Sequence, residues 1–93
     1  MDRQEILQTI KQKFSDDILS VLEKAPDRIF MEIKAEAIGR MAKSIFKDMG
    51  ARFNIASGVD SREHMEILYH FTFEDARMIL SLRVKLDKAK LEI

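Results

Sequence analysis

Two histidines, His64 and His70, are the first candidates for chemistry, because imidazole can bind metals and transfer protons. They lie in a segment whose side chains alternate in character, which is typical of a β-strand. Their separation along a strand is roughly 20 Å, at about 3.3 Å per residue, so one metal ion cannot bind both rings. Glu66 neighbours His64 on the same face, but two ligands from one strand make a poor metal site. We interpret the histidines as partly exposed strand residues and predict no metal site.

The other side chains that could support catalysis lack the spacing that catalysis requires. Six acidic residues fall in predicted turns, where such residues solvate bends and cap helices: Asp16, Asp17, Asp60, Glu63, Glu74 and Asp75. Glu66 lies in a predicted strand. No serine lies in a nucleophile-elbow pattern, and the three glycines do not form a phosphate-binding loop. The absence of cysteine excludes disulfides, thiolate metal sites and a cysteine nucleophile. The sequence therefore predicts no catalytic site and no cofactor.

The length of 93 residues restricts the protein to a single small domain, residues 1–93. Sixteen basic and sixteen acidic side chains cancel, so no net field would attract nucleic acid or an anionic membrane. No apolar run approaches the roughly 20 residues that span a bilayer, and the N-terminus does not resemble a secretory signal. We expect a protein that does not insert into the membrane.

The first half of the chain predicts a helix and a hairpin. Asp2 and Glu5 have the spacing of a capping box and begin a helix over about residues 3–14. Residues 18–23 and 28–33 suit two strands joined by a turn at Pro26. A helix over 16–24 is the alternative for the first of these strands.

The second half predicts one amphipathic helix and three strands. The helix covers about residues 34–49 and ends at Gly50. Its core stripe consists of Ile38, Met41, Ala42, Ile45, Phe46 and Met49. Its outer side carries Lys34, Arg40, Lys43 and Lys47, a basic stripe that we interpret as solvated, with a docking surface as the alternative. After residue 50 the period changes to two, which predicts strands over 53–56, 65–73 and 78–86, with a loop over 58–63.

The order α-β-β-α-β-β-β predicts a two-layer α+β sandwich, in which two helices cover one face of an antiparallel sheet of about four to five strands. The opposite sheet face carries Phe30, Leu68, Ile79 and His70. An uncovered face with this much apolar area is a candidate for burial against a partner. We also expect the edge beside the last strand to be completed by another segment.

The C-terminal half, about residues 50–93, resembles a known family. Three short motifs in order are similar to the core of the thirty-kilodalton subunit of NADH-quinone oxidoreductase (complex I). They are Gly58-Val59-Asp60, then Glu66 to Phe71 with its Tyr69-His70 pair, then Leu82 to Leu86. The run is also similar to the matching subunit of energy-converting membrane-bound nickel–iron hydrogenases. The family has an aromatic residue where Ser61 stands, and it continues into a C-terminal extension that we expect this chain to lack.

The resemblance implies a structural role in the peripheral arm of such a complex, on the cytoplasmic side of the membrane. It implies that the subunit binds no cofactor itself. It also implies that the partners are a hydrogenase-like large subunit and iron–sulfur subunits. The matching positions, which are the candidate interface residues, are Asp60, Glu66, Tyr69, His70 and Arg83. The alternative function is a free-standing regulatory or small-ligand-binding domain that forms a homodimer through its open sheet face.

Overall fold

The computed structural model describes residues 2–60 and 64–87, and in them it shows two helical segments and five strands. The elements are α1 (Arg3–Lys13), β1 (Ile18–Ala25), β2 (Arg28–Ile33), a 3₁₀ turn (Ala35–Ala37), α2 (Ile38–Lys43), a π-helical turn (Ser44–Asp48), β3 (Arg52–Asp60), β4 (His64–Phe73) and β5 (Met78–Asp87). The α+β class, the element order and the two layers are as predicted, and residues 16–24 contain a strand and not a helix.

The five strands form one sheet in the order β1-β2-β5-β4-β3. Neighbouring strands are antiparallel except β2 and β5, which are parallel. This parallel pair departs from the all-antiparallel sheet that we predicted, and it arises because α2, β3 and β4 form a crossover between the two strands. The expectation of an unfinished edge beside the last strand is wrong, since β5 lies between β2 and β4 at the centre of the sheet.

Alternate side chains of the sheet build the core with the two helical segments. α1 contributes Ile6, Leu7 and Ile10. The second helical segment, which comprises the 3₁₀ turn, α2 and the π-helical turn (residues 35–48), contributes Ala37, Met41 and Ile45. They pack on the side chains of three strands: Ile29, Met31, Ile33, Phe71, Phe73, Met78, Leu80, Leu82 and Val84. β5 therefore occupies the middle of the core, because its neighbours on both sides and the helices above it exclude water from the same side chains.

Local capping defines the start of α1. The carboxylate of Asp2 accepts a hydrogen bond of 2.8 Å from the backbone N–H of Glu5, as the capping-box pattern predicts. The helix is tied to its surroundings by Arg3, whose Nε donates to the carbonyl of Ala76, and by Lys13, whose Nζ donates to the Ser44 hydroxyl at 2.8 Å. The two helical segments therefore lie side by side on one face of the sheet.

The second helical segment widens at its end, which the α-helical period did not predict. The N–H of Met49 donates to the carbonyl of Ser44, five residues back, so the last turn is π-helical. The N–H of Ala51 then donates to the carbonyl of Ile45, six residues back, and closes the end of the segment. Gly50 then adopts a φ of 70°, the left-handed conformation expected of a glycine after a helix. Phe46, predicted to be a core residue, is 53% exposed. A π turn changes the angular spacing of side chains, so the stripe read from α-helical spacing fails there.

β3 is longer than predicted. The predicted loop over 58–63 is wrong in its first half, because β3 continues to Asp60 and pairs there with Met65. Residues 61–63 lie outside the described residues. A register irregularity between Phe53 and Ala56 interrupts the β3–β4 ladder, which is a common feature of edge strands.

Candidate functional site

The open face is the sheet surface opposite the helices, and β2, β5 and β4 form its centre. Strand register places Leu22 beside Phe30, Phe30 beside Ser81, and Ser81 beside His70. On either side of this row, Ile79 on β5 pairs with Arg28 on β2, and Leu68 on β4 pairs with Arg83 on β5. Phe30, Leu68 and Ile79 are half-buried, and Leu22 is 52% exposed. The predicted apolar area on this face is therefore present.

Polar contacts hold the middle of the open face in one arrangement. The Nδ1 atom of His70 lies 2.7 Å from the Ser81 hydroxyl oxygen, and Ser81 is only 3% exposed. Toward one edge, the ammonium group of Lys24 lies 5.4 Å from the centre of the Phe30 ring, within the range of a cation–π contact. These contacts fix the side chains that surround the apolar centre.

Charged side chains border the apolar centre along one end of the open face. Lys85 Nζ lies 3.3 Å from a Glu32 carboxylate oxygen, and Arg83 Nε lies 3.9 Å from a Glu66 oxygen. At 3.9 Å the second pair attracts electrostatically without forming a hydrogen bond. The Arg83 Nε atom is buried and has no hydrogen-bond acceptor among the described residues. An apolar centre with a charged border is the usual anatomy of a protein–protein interface.

The structure brings only part of the candidate interface set together. Glu66, His70 and Arg83 lie on the open face, whereas Tyr69 projects from the opposite side of β4 and packs against the core. This follows from strand geometry, since consecutive residues of a strand point to opposite faces. Asp60 ends β3, beside Met65, and its side chain lies outside the described residues.

A second surface, the aromatic groove, was not predicted. It is an open groove of about 400 Å³ between the end of the second helical segment and the β3 edge of the sheet. Its lining comprises Ala42, Lys43, Phe46, Lys47, Phe53, Tyr69 and Phe71. Phe53 is 43% exposed and its ring centre lies 5.4 Å from that of Phe71 and 6.5 Å from that of Tyr69. The sequence signal was the basic stripe, two of whose lysines border this groove.

The described residues offer two surfaces with apolar area. In residues 2–60 and 64–87, no group of three or more histidine, aspartate or glutamate side chains is placed to hold a metal ion. The His64 side chain lies outside the described residues. No helix in the described part of the chain is long and apolar enough to cross a membrane. The two surfaces instead offer apolar area with defined charges, which suits recognition of another macromolecule.

Comparison with known proteins shows a fold shared with solved structures. No family model matches the sequence, and no curated protein matches it. The fold is similar to a chain in the structure of the membrane-bound sulfane sulfur reductase, an archaeal respiratory membrane complex, with a TM-score of 0.66 and 16% sequence identity. The match covers 90% of this chain and 49% of the similar chain, so this chain spans about half the length of the similar chain. At that identity the similarity shows a shared fold, which alone does not define function.

Proposed function

We propose that this chain is a non-catalytic subunit, or part of one, in a membrane-bound respiratory oxidoreductase complex, and that it docks through its open face. The observation that carries the proposal is the apolar area of that face: Leu22, on the edge strand β1, is 52% exposed beside a half-buried Phe30, with the helices on the other side. Isolated surface leucines are common, but a leucine continuous with other apolar side chains and bordered by charges is typical of a docking surface.

The fold similarity supports the respiratory context by analogy. The similar chain comes from an archaeal respiratory membrane complex, and the match extends over 90% of the present chain. The resemblance of residues 50–93 to the thirty-kilodalton subunit of complex I, and to its hydrogenase counterpart, arises from different information, the order of short motifs. Both support a role as a subunit of a respiratory membrane complex.

The partner that we propose for the open face is a hydrogenase-like large subunit, with iron–sulfur subunits nearby and the whole arm on the cytoplasmic side. Arg83 and Glu66 would then contribute to the border of the interface, where charges select the partner and its orientation more than they add affinity. The Arg83 side chain is 36% exposed, so a carboxylate of the partner could approach its guanidinium group.

The test is co-purification of the tagged full-length protein from the membrane fraction of its source organism under mild detergent, with mass spectrometry of the recovered proteins. We expect a hydrogenase-like large subunit together with iron–sulfur subunits. Leu22→Asp should lower their recovery at least about tenfold, because it puts a charge into the apolar part of the interface beside Phe30.

Leu19→Asp is the matched control, because Leu19 is also on β1 and is 55% exposed, but it lines a shallow cleft with Lys11 and Ser15 on the α1 side. It should leave recovery unchanged. Equal loss for both variants would mean that the open face is not the docking surface. Recovery of the tagged protein without any oxidoreductase subunit would contradict the proposed function itself.

A free-standing, self-associating domain is the second candidate, and the edge position of β1 favours it. Among the strands that the structure describes, β1 pairs only with β2, and it carries two exposed leucines, Leu19 and Leu22. Exposed edge strands can pair with a second copy. Sedimentation of the purified chain distinguishes the candidates: a stable dimer that Leu22→Asp dissociates, with no oxidoreductase subunit recovered from membranes, would favour this one.

A further inference from the structure

The aromatic groove is independent of the open face, because it lies on the helix side of the sheet at the β3 edge. Within it, Phe46 and Phe53 are 53% and 43% exposed, although the core nearby is tightly filled. The helical segments leave this edge uncovered, so the rings of Phe53 and Tyr69 form a floor and Phe46 forms a wall. Two exposed phenylalanines beside one groove form a continuous apolar patch, whereas a single exposed ring would need no explanation.

Two lysines give the groove a definite charge. Lys43 and Lys47 both line it and are exposed, and neither forms an ion pair with a described residue. The arginine of the basic stripe behaves differently: Arg40 lies 3.2 Å from the Asp17 carboxylate and is therefore already paired. Asp48, the nearest acidic neighbour in sequence, is paired with Lys13 at 3.2 Å. The border of the groove thus presents two uncompensated positive charges above an apolar floor.

We propose that the aromatic groove binds a peptide segment of a partner protein, in which large apolar side chains are flanked by aspartate or glutamate. The volume of about 400 Å³ accommodates a pair of large apolar side chains, and the lysines complement acidic residues beside them. The groove is open along its length, whereas sites for small molecules usually enclose most of the ligand. Two lysines on a chain of zero net charge are too few to hold an anionic membrane.

The π-helical turn contributes the shape that such a segment needs. Lys43 and Lys47 lie on either side of Phe46 in the chain, and the turn Ser44–Asp48, which directly follows Lys43, brings all three to the groove. π turns are rare and are found frequently at functional sites. The same turn carries Ile45, which is fully buried, so Phe46 is presented from a rigid support.

The experiment is selection of 12-residue peptides from a random phage-displayed library against the full 93-residue chain. We expect enrichment of peptides that combine leucine or aromatic anchors with flanking acidic residues. Synthetic copies of the enriched peptides should shift the amide NMR signals of residues 43–47 and of Phe53. Their binding should weaken as salt is raised, because exposed charges contribute to it.

Two sets of variants test the assignment. Phe46→Ala should weaken the binding of an enriched peptide about thirtyfold, the usual effect of removing an aromatic anchor. Phe46 is more than half exposed, so the variant should fold normally. Lys43→Glu combined with Lys47→Glu should abolish the preference for acidic peptides. The matched control is Lys11→Glu combined with Lys34→Glu, which makes the same charge change at exposed sites that do not line the groove. That control should bind as the wild type does.

Several results would overturn the proposal. Enriched peptides that lack acidic residues, or that bind Phe46→Ala and the lysine variant as tightly as the wild type, would exclude the groove as their site. A dimer in sedimentation that Phe46→Ala dissociates would assign the groove to a second copy of the chain. Binding to phosphatidylglycerol vesicles that both variants lose would assign it to a lipid surface. None of these results depends on whether the open face docks onto a respiratory complex.

Discussion

The Nδ1 atom of His70 on β4 lies 2.7 Å from the hydroxyl oxygen of Ser81 on β5, in the centre of the open face. The two residues are direct register partners, so this contact joins neighbouring strands through their side chains. Ser81 is only 3% exposed, so if its hydroxyl were removed, water could not easily take the place of that hydroxyl as the partner of His70 Nδ1.

Ser81→Ala should lower the free energy of unfolding by about 1 kcal/mol, since it leaves a half-buried imidazole nitrogen without this hydrogen bond. Urea denaturation measures the change. Ser20→Ala is the control, because Ser20 is exposed on the edge strand β1, and its substitution should have an effect below about 0.5 kcal/mol. Equal stabilities of the two variants would mean that the contact between His70 and Ser81 contributes nothing.

Leu82→Ala should destabilise the protein by about 2–5 kcal/mol, because it opens a cavity beneath both helical segments. Leu82 is fully buried in the central strand β5, and Leu22→Ala is the matched control at a leucine that is 52% exposed. The control should cost less than about 1 kcal/mol. Thermal and urea unfolding of both variants check the difference, and a Leu82→Ala protein as stable as the control would contradict the position of β5 at the core.

Two glycine substitutions should change stability in opposite directions. Gly50→Ala should destabilise by about 1–2 kcal/mol, because Gly50 has a φ of 70° and a side chain is strained there. Gly39→Ala should stabilise by about 0.5 kcal/mol, because Gly39 is exposed in α2 and alanine favours the helix. A Cβ at position 39 would have no neighbour within 4 Å. Midpoints of urea unfolding test both signs, and destabilisation by both would disprove a regular helix at Gly39.

Asp2→Ala should destabilise α1 by about 1 kcal/mol through loss of the N-cap. The carboxylate of Asp2 accepts from the Glu5 N–H at 2.8 Å, whereas Asp16 is an exposed turn residue for which the described residues show no such bond. Asp16→Ala is therefore the control. Hydrogen exchange of the first amides of α1 gives a local readout: faster exchange is expected in Asp2→Ala alone, and unchanged exchange would show that the cap is not formed in solution.

The periodicity of the sequence determined which elements form. Alternation over 65–73 and 78–86 predicted β4 and β5 to within a residue at each end, because a strand that is buried on one face must place its apolar side chains at every second position. The same alternation predicted that His70, Leu68 and Ile79 share a face. The spacing of Asp2 and Glu5 predicted the start of α1, because capping is a local interaction.

Only the tertiary structure decided which strands are neighbours and which side chains remain exposed. The parallel pairing of β2 with β5 depends on contacts between residues that are distant in sequence, and local patterns carry no information about them. Phe46 satisfies the core pattern of an α-helix, yet the π turn and the limited extent of the helix layer leave it exposed beside Phe53. Periodicity specifies the apolar side of each element, whereas the amount of that side that is covered depends on how all the elements pack together.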